Sequence, residues 1–168
     1  MNALILGGLA LAGVAAYQRV DREVIQPVTA QLWVEERDAA RAANSQAIAE
    51  VLIRRSLRSG ATIQQLQSGA KVDSYTGPIS AWDGFADALR DGAAAAAEDP
   101  AFRARAAGAA WRAYLAVRWA IGQEVAPRAL WYRHATAAAL PERWNRTRLA
   151  VVLDAPRGKK LGLYVPAE

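Results

Sequence analysis

LWVEERDAARAANSQAIAEVLIRR, residues Leu32 to Arg55, is the stretch on which the fold turns. Leu32, Trp33, Ala47, Ile48, Val51 and Leu52 recur at helical spacing and supply one buried stripe. The stretch therefore reads as a long helix, or two joined helices, from about Thr29 to Arg58, ended by Ser59 and Gly60. The run Glu35, Glu36, Arg37, Asp38 interrupts the apolar pattern. On its plainest reading it is a solvated face supported by helix pairs such as Asp38 to Arg41.

Outward from this stretch, residues 60–79 are rich in Gly, Ser, Thr and Gln and read as loop, with one short turn at Thr62 to Leu66. Ser80 and Asp83 have the spacing of a capping box. They predict a helix start that places Trp82, Phe85 and Leu89 at helical intervals. Asp99 and Pro100 predict another start, with Asp at the cap and Pro at the first helical position. Phe102, Trp111, Tyr114, Leu115 and Trp119 give that helix its apolar side, and Gly122 is its stop. At the C-terminal end, Arg148 to Asp154 (RLAVVLD) and Leu161 to Val165 (LGLYV) flank a Pro- and Gly-containing turn and read as a β-hairpin.

With 168 residues the chain has room for one domain and an appendage. The boundary falls at an apolar segment over residues 1–19, followed by a domain over residues 20–168. Alanine swells the hydrophobic share to 53% while aromatics make only 8%, so the core is expected to be built from closely approaching helices with a few large anchors. The six Trp are the candidates for those anchors. The absence of cysteine excludes disulfides, thiolate metal sites and cysteine nucleophiles. Residues 3–17 carry no charge, and three readings fit them: a short membrane span, a secretory signal, or a Gly- and Ala-rich helix that packs against other subunits. Arg19 and Arg22, just after the segment, weigh against export of the C-terminal part.

Charge is unevenly placed. Residues 101–160 hold twelve Lys and Arg against Glu124, Glu142 and Asp154, whereas the whole chain has 21 basic and 16 acidic residues. The C-terminal half is thus strongly basic and the remainder net acidic. Such a half suits an anionic polymer or surface, or else an arginine-rich solvated face. No recognition-helix signature or aromatic RNA-binding motif points to specific nucleic-acid binding.

Within the opening stretch, Trp33, Glu35 and Arg37 form W-x-E-x-R, and Ala47, Ile48, Ala49 and Val51 to Arg54 follow with one extra residue between the two parts. This order resembles the cell-wall (peptidoglycan) hydrolase family of spore-cortex-lytic enzymes and phage lysins, which carries W-G-E-A-R-G-E, a Gly, and then A-V-A-x-V-x-x-N-R. A second stretch, Ala129, Tyr132, His134, Ala135, Pro141 and Trp144, falls on that family's A-T-H-Y-H-A signature and its following Pro and Trp, with one residue inserted near Arg133. Ser74, Tyr75 and Trp82 stand where the family has an aromatic loop. The resemblance covers roughly residues 28–165. This sequence departs from the pattern at Asp38, in place of the Gly after the Arg, at Ala39, in place of a second Glu, and at Trp131, in place of the first His of the signature.

The resemblance implies a mainly α, lysozyme-like helical domain with a short C-terminal β-hairpin behind an apolar N-terminal helix. It implies a lytic transglycosylase or muramidase that cleaves the bond between N-acetylmuramic acid and N-acetylglucosamine, with Glu35 as the acid and Tyr75, Tyr132 and His134 lining the sugar site. Such chemistry needs one carboxylic acid kept neutral near pH 7 to protonate the leaving oxygen, and an oxocarbenium-like transition state. Glu36 is the alternative acid if the extra residue lies earlier. No cofactor is implied, and a single histidine without cysteine makes no case for a metal. The partners expected are peptidoglycan, a membrane or virion subunits through residues 1–19, and an anionic surface through the basic half. That places the chain at the bacterial envelope, membrane-associated or virion-associated. A structural component that keeps the fold but has lost catalysis is the alternative, favoured by the three departures.

Arg157, Lys159 and Lys160 sit together in the turn of the hairpin. Neutralising all three is expected to weaken co-sedimentation with anionic sacculi or anionic vesicles at low salt, with the difference vanishing as salt rises. Equal binding at every salt concentration would identify the patch as a solvated face only.

Overall fold

Pro27 shapes the entry into the molecule. It lacks the N–H that would bond the carbonyl four residues back, and its ring crowds that carbonyl. The turn before it opens into a π-helical turn, Asp21–Ile25, closed by the Gln26 N–H on the Asp21 carbonyl. In the computed structural model, which describes residues 13–36, 42–68, 84–135, 147–155 and 159–167, the chain is helical without interruption from residue 13 through this turn into α1, Gln26–Glu36. The helical run thus crosses residue 19. Residues 13–19 are exposed, and Tyr17 stacks on Trp111 with ring centroids 5.1 Å apart.

The remaining helices are α2, Ala42–Ser59; α3, Ile63–Gln67; α4, Phe85–Glu98; and α5, Pro100–Trp119. One of their starts, at Asp99, was legible in the sequence, whereas residues 63–67, read there as a short turn within a loop, form a helix. Thr62 caps α3 in a full capping box with Gln65, and Asp99 accepts the Phe102 N–H at 2.8 Å with Pro100 at the first helical position of α5. The start expected at Ser80 is corrected. Gly84, with φ of 84°, cannot belong to a right-handed helix and sets the first residue of α4 at Phe85, while residues 80–83 lie outside the described residues. The expected stop at Gly122 comes earlier too. Ala120 takes a left-handed conformation, φ 54°, and its N–H together with that of Ile121 closes on the Ala116 and Leu115 carbonyls.

α1, α2 and α5 enclose the main core, in which Ile25, Val28, Leu32, Ile48, Leu52 and Ile63 meet an alanine face of α5 formed by Ala106, Ala110 and Ala113. Small residues on one helix let the large aliphatic side chains of the others fill the space between them, and each buried Leu or Ile contributes on the order of 1.5–3 kcal/mol. α4 approaches α1 as closely: a β-carbon on Gly92 would lie 3.1 Å from Trp33. Trp33 and Trp111 pack against this core as expected of anchors, Trp33 edge-on to Phe102. Trp119 does not; it is 60% exposed at the last residue of α5.

The molecule is mainly helical with a small three-stranded antiparallel sheet near its C-terminus, in the order β1-β3-β2. β2, Thr147–Asp154, and β3, Lys160–Pro166, form the expected hairpin, with an irregularity between Leu149 and Val151. β1, Trp131–Ala135, was not expected as a strand; it pairs with β3 in the register Tyr132 opposite Leu163. One face of β3 presents Leu161, Leu163 and Val165 to the helices, where Ala47 and Val51 of α2 receive the latter two. On the other side Tyr164 lies against Gly162, whose missing side chain leaves room for the ring, since a β-carbon there would stand 2.8 Å from the Tyr164 hydroxyl.

A polar ladder on α2 ties the loop before β1 to the helices. Glu50, fully buried, accepts the N–H groups of Val125 at 2.9 Å and Ala126 at 2.7 Å and the Gln46 amide at 2.9 Å. One turn earlier Gln46 donates to the Gln123 carbonyl, and one turn later Arg54 donates to the Ala129 carbonyl at 2.7 Å and pairs with Glu124 at 2.6 Å. Replacing Glu50 by Leu strips the acceptor from two backbone N–H groups, which is expected to cost roughly 3 kcal/mol or more. Thermal unfolding should then fall by about 6–12 °C for a chain of this size. A loss under about 1 kcal/mol would show that the ladder does not hold the loop.

Candidate active site

Gln31 and Glu35 stand four residues apart on α1 and so share one helical face. Tyr132 arrives from β1, 97 residues further along the chain, and donates its hydroxyl to Glu35 Oε1 at 3.2 Å. The fully buried Gln31 amide nitrogen donates to the same oxygen at 3.3 Å and to the Tyr132 hydroxyl at 2.9 Å. These three side chains form a closed triangle of hydrogen bonds in which one carboxyl oxygen accepts two donors.

Burial is the main cause that lifts the Glu35 carboxyl above its ordinary value of 4.5, opposed by the hydrogen bonds from Tyr132 and Gln31, which favour the ionised form. Burial, and next the nearby charge of Glu35, hold the Tyr132 phenol well above its usual range, so the hydroxyl keeps its proton and remains a donor. The buried Arg55 of α2 acts on the same phenol in the opposite direction. The outcome is a partly buried carboxylic acid with a raised affinity for its proton, held in orientation by a phenol and an amide. Those are the properties required of a general acid.

Of the residues singled out from the sequence, Glu35 and Tyr132 are brought together. His134 lies in β1 with its backbone in register with Leu161. Tyr75 falls outside the described residues, as do Arg37 and Asp38. Glu36, the alternative acid, is 2% exposed. Trp131, at the position where the resembled hydrolase pattern has a His, is buried against Leu130 and Tyr164. Gln31, Arg55 and Gln67 were not anticipated as site residues. The one available signal was the placement of Gln31 one turn before Glu35. Among the described residues no group of three His, Cys, Asp or Glu is placed to hold a metal ion.

A cavity of about 410 Å³ lies on another side of α1, lined by Ile25, Thr29, Ala30, Ala96 and Arg103 among others, and Glu35 is not among its walls. Comparison of the chain with models of known protein families, with curated proteins and with solved structures gave no match.

The raised affinity of Glu35 for its proton has a signed consequence for stability. Between 4.5 and the raised folded value the folded chain holds a proton that the unfolded chain has released, so stability falls as pH rises through that window. Glu35→Gln removes this slope. Denaturant unfolding in a pH series that starts below 4.5 is expected to show the variant gaining on the wild type as pH rises. Parallel curves would mean that Glu35 titrates as an ordinary exposed carboxyl.

Proposed function

We propose that this chain is a peptidoglycan-cleaving enzyme of lysozyme-like fold, a lytic transglycosylase or muramidase, in which Glu35 protonates the glycosidic oxygen between N-acetylmuramic acid and N-acetylglucosamine. The observation that carries this reading is the meeting of Glu35 and Tyr132. Two sequence stretches that resemble separate motifs of one hydrolase family, 97 residues apart, converge on a hydrogen bond of 3.2 Å. In the proposed reaction the neutral Glu35 gives its proton to the leaving oxygen as positive charge develops on the sugar. The carboxylate that results is stabilised by the two donors already aimed at it. Acting next as a base, the same carboxylate takes a proton either from water or from the sugar's own 6-hydroxyl, so one carboxyl serves both steps. His134 and Tyr75 are proposed to line the sugar site.

The exposed helical residues 13–19 support a role for residues 1–19 in attachment, to a membrane or to virion subunits, at the bacterial envelope. Among the described residues no helix is long and apolar enough to cross a membrane. The exposed Arg148 and Lys159 belong to the proposed anionic-surface contact, whereas Lys160 is already engaged by Asp154.

A second reading, a structural component of a virion or envelope without catalysis, is favoured by Trp131. Where the resembled hydrolase pattern has a His, this chain has a side chain that is 8% exposed and packed between Leu130 and Tyr164. A zymogram on purified peptidoglycan separates the two. The wild type is expected to clear the substrate and Glu35→Gln to lose about 10²–10⁴-fold in rate, with an unchanged circular dichroism spectrum. Clearing by Glu35→Gln equal to wild type would remove Glu35 from the role of acid, and no clearing by the wild type would favour the structural reading.

A further inference from the structure

Each hydrogen bond behind Glu35 has a direction, and the directions trace back to one backbone group. The Pro27 carbonyl can only accept. Gln67, at the last residue of α3, meets it with its amide nitrogen at 3.0 Å, and the same nitrogen donates to Gln31 Oε1 at 3.1 Å. With its oxygen taken by that donor, the Gln31 amide must turn its NH₂ toward Glu35 and Tyr132. Were the Gln31 amide reversed, its oxygen would face Glu35 Oε1, acceptor against acceptor, and the Tyr132 hydroxyl would be drawn from the acid to the amide. Gln31 is fully buried, so water does not settle the choice for it.

We infer that Gln67 is a positioning residue for the proposed acid: it carries the polarity of the Pro27 carbonyl through Gln31 and so fixes that amide as a donor to Glu35 and Tyr132. This rests on the reading of Glu35 as a general acid. Gln67 does not touch Glu35; it acts only through the amide between them. Two donors on Oε1 leave the proton to Oε2 when Glu35 is neutral, so the relay also selects which oxygen delivers it.

The test uses the full chain and two substitutions. Gln67→Met keeps the length and removes the donor. Gln67→Lys keeps N–H donors and offers no acceptor. Tyr132 and Gln31 bear on Glu35, Arg55 acts on the Tyr132 phenol, and Glu36 stands beside Glu35 in sequence; neither substitution alters any of these. In Gln67→Met the Gln31 amide is free to reverse. Loss of its donor removes a stabiliser of the carboxylate, so the alkaline limb of the pH–rate profile should move to higher pH. The turnover number should fall about tenfold to a hundredfold with little change in KM, the response to a displaced acid. Gln67→Lys should keep the turnover number within about twofold, and its limb should stay or move to lower pH, because the new positive charge favours the carboxylate. A merely structural Gln67 would lower the melting temperature and move neither limb nor turnover.

A carbon-13 NMR titration of the Glu35 carboxyl in wild type and Gln67→Met reads the relay without any turnover. A titration midpoint that moves up in Gln67→Met supports the relay even if no variant cleaves peptidoglycan, in which case the enzymatic reading alone fails. An unmoved midpoint, or an active Gln67→Met with the wild-type profile, overturns the relay and leaves the enzymatic reading standing.

Discussion

A single buried carboxylate organises the junction between the helical body and the sheet. Glu50 is removed from water, yet the Val125 and Ala126 N–H groups and the Gln46 amide supply three donors, so the cost of burying its polar oxygens is met with hydrogen bonds from groups that would otherwise be orphaned themselves. The loop it holds leads within a few residues into β1, and β1 carries Tyr132. A rigid helix face on α2 therefore places the strand, and the strand places the phenol that meets Glu35. Removal of Glu50 would release the loop's backbone groups first and the site's geometry through them.

Periodicity and caps were readable because they are local. Asp99 announces its helix with a side chain that reaches only three residues ahead, and the β2–β3 hairpin announces itself by two apolar runs around a turn. What escaped the sequence depends on distant partners. The sequence WYRHA has no strong alternation of its own and becomes a strand because β3 offers an edge beside it. Trp119 extends the apolar stripe of α5 beyond the length of helix that any neighbour covers, so the pattern is regular where the packing has ended. The end of α5 followed the same logic, closing on Ala120 two residues before the glycine that offered the lower-energy left-handed position.

The candidate site was half legible. Glu35 and Tyr132 were named because their stretches resemble separated motifs of one family; periodicity alone would have left Glu35 on a solvated face. Gln31, Gln67 and Arg55 were not named, since polar residues on an otherwise apolar helix face carry no label until their partners are known. Gln31 sits among core positions, yet its hydrogen bonds to Glu35, Tyr132 and Gln67 satisfy it there and make its burial tolerable.

The unbroken helix from residue 13 to Glu36 gives the molecule a ruler. At about 1.5 Å per residue, Glu35 stands roughly 33 Å along the axis from residue 13. Had that connection been a flexible chain, the distance from an attached body to the carboxyl would fluctuate and its direction would be free. Here Tyr17 braces the rod against Trp111, so both distance and bearing are set. On the proposed reading, a partner that held the N-terminal end would set one depth for Glu35, and adding or removing a residue in the rod would change that depth and rotate the site about the axis by about 100° in the same step.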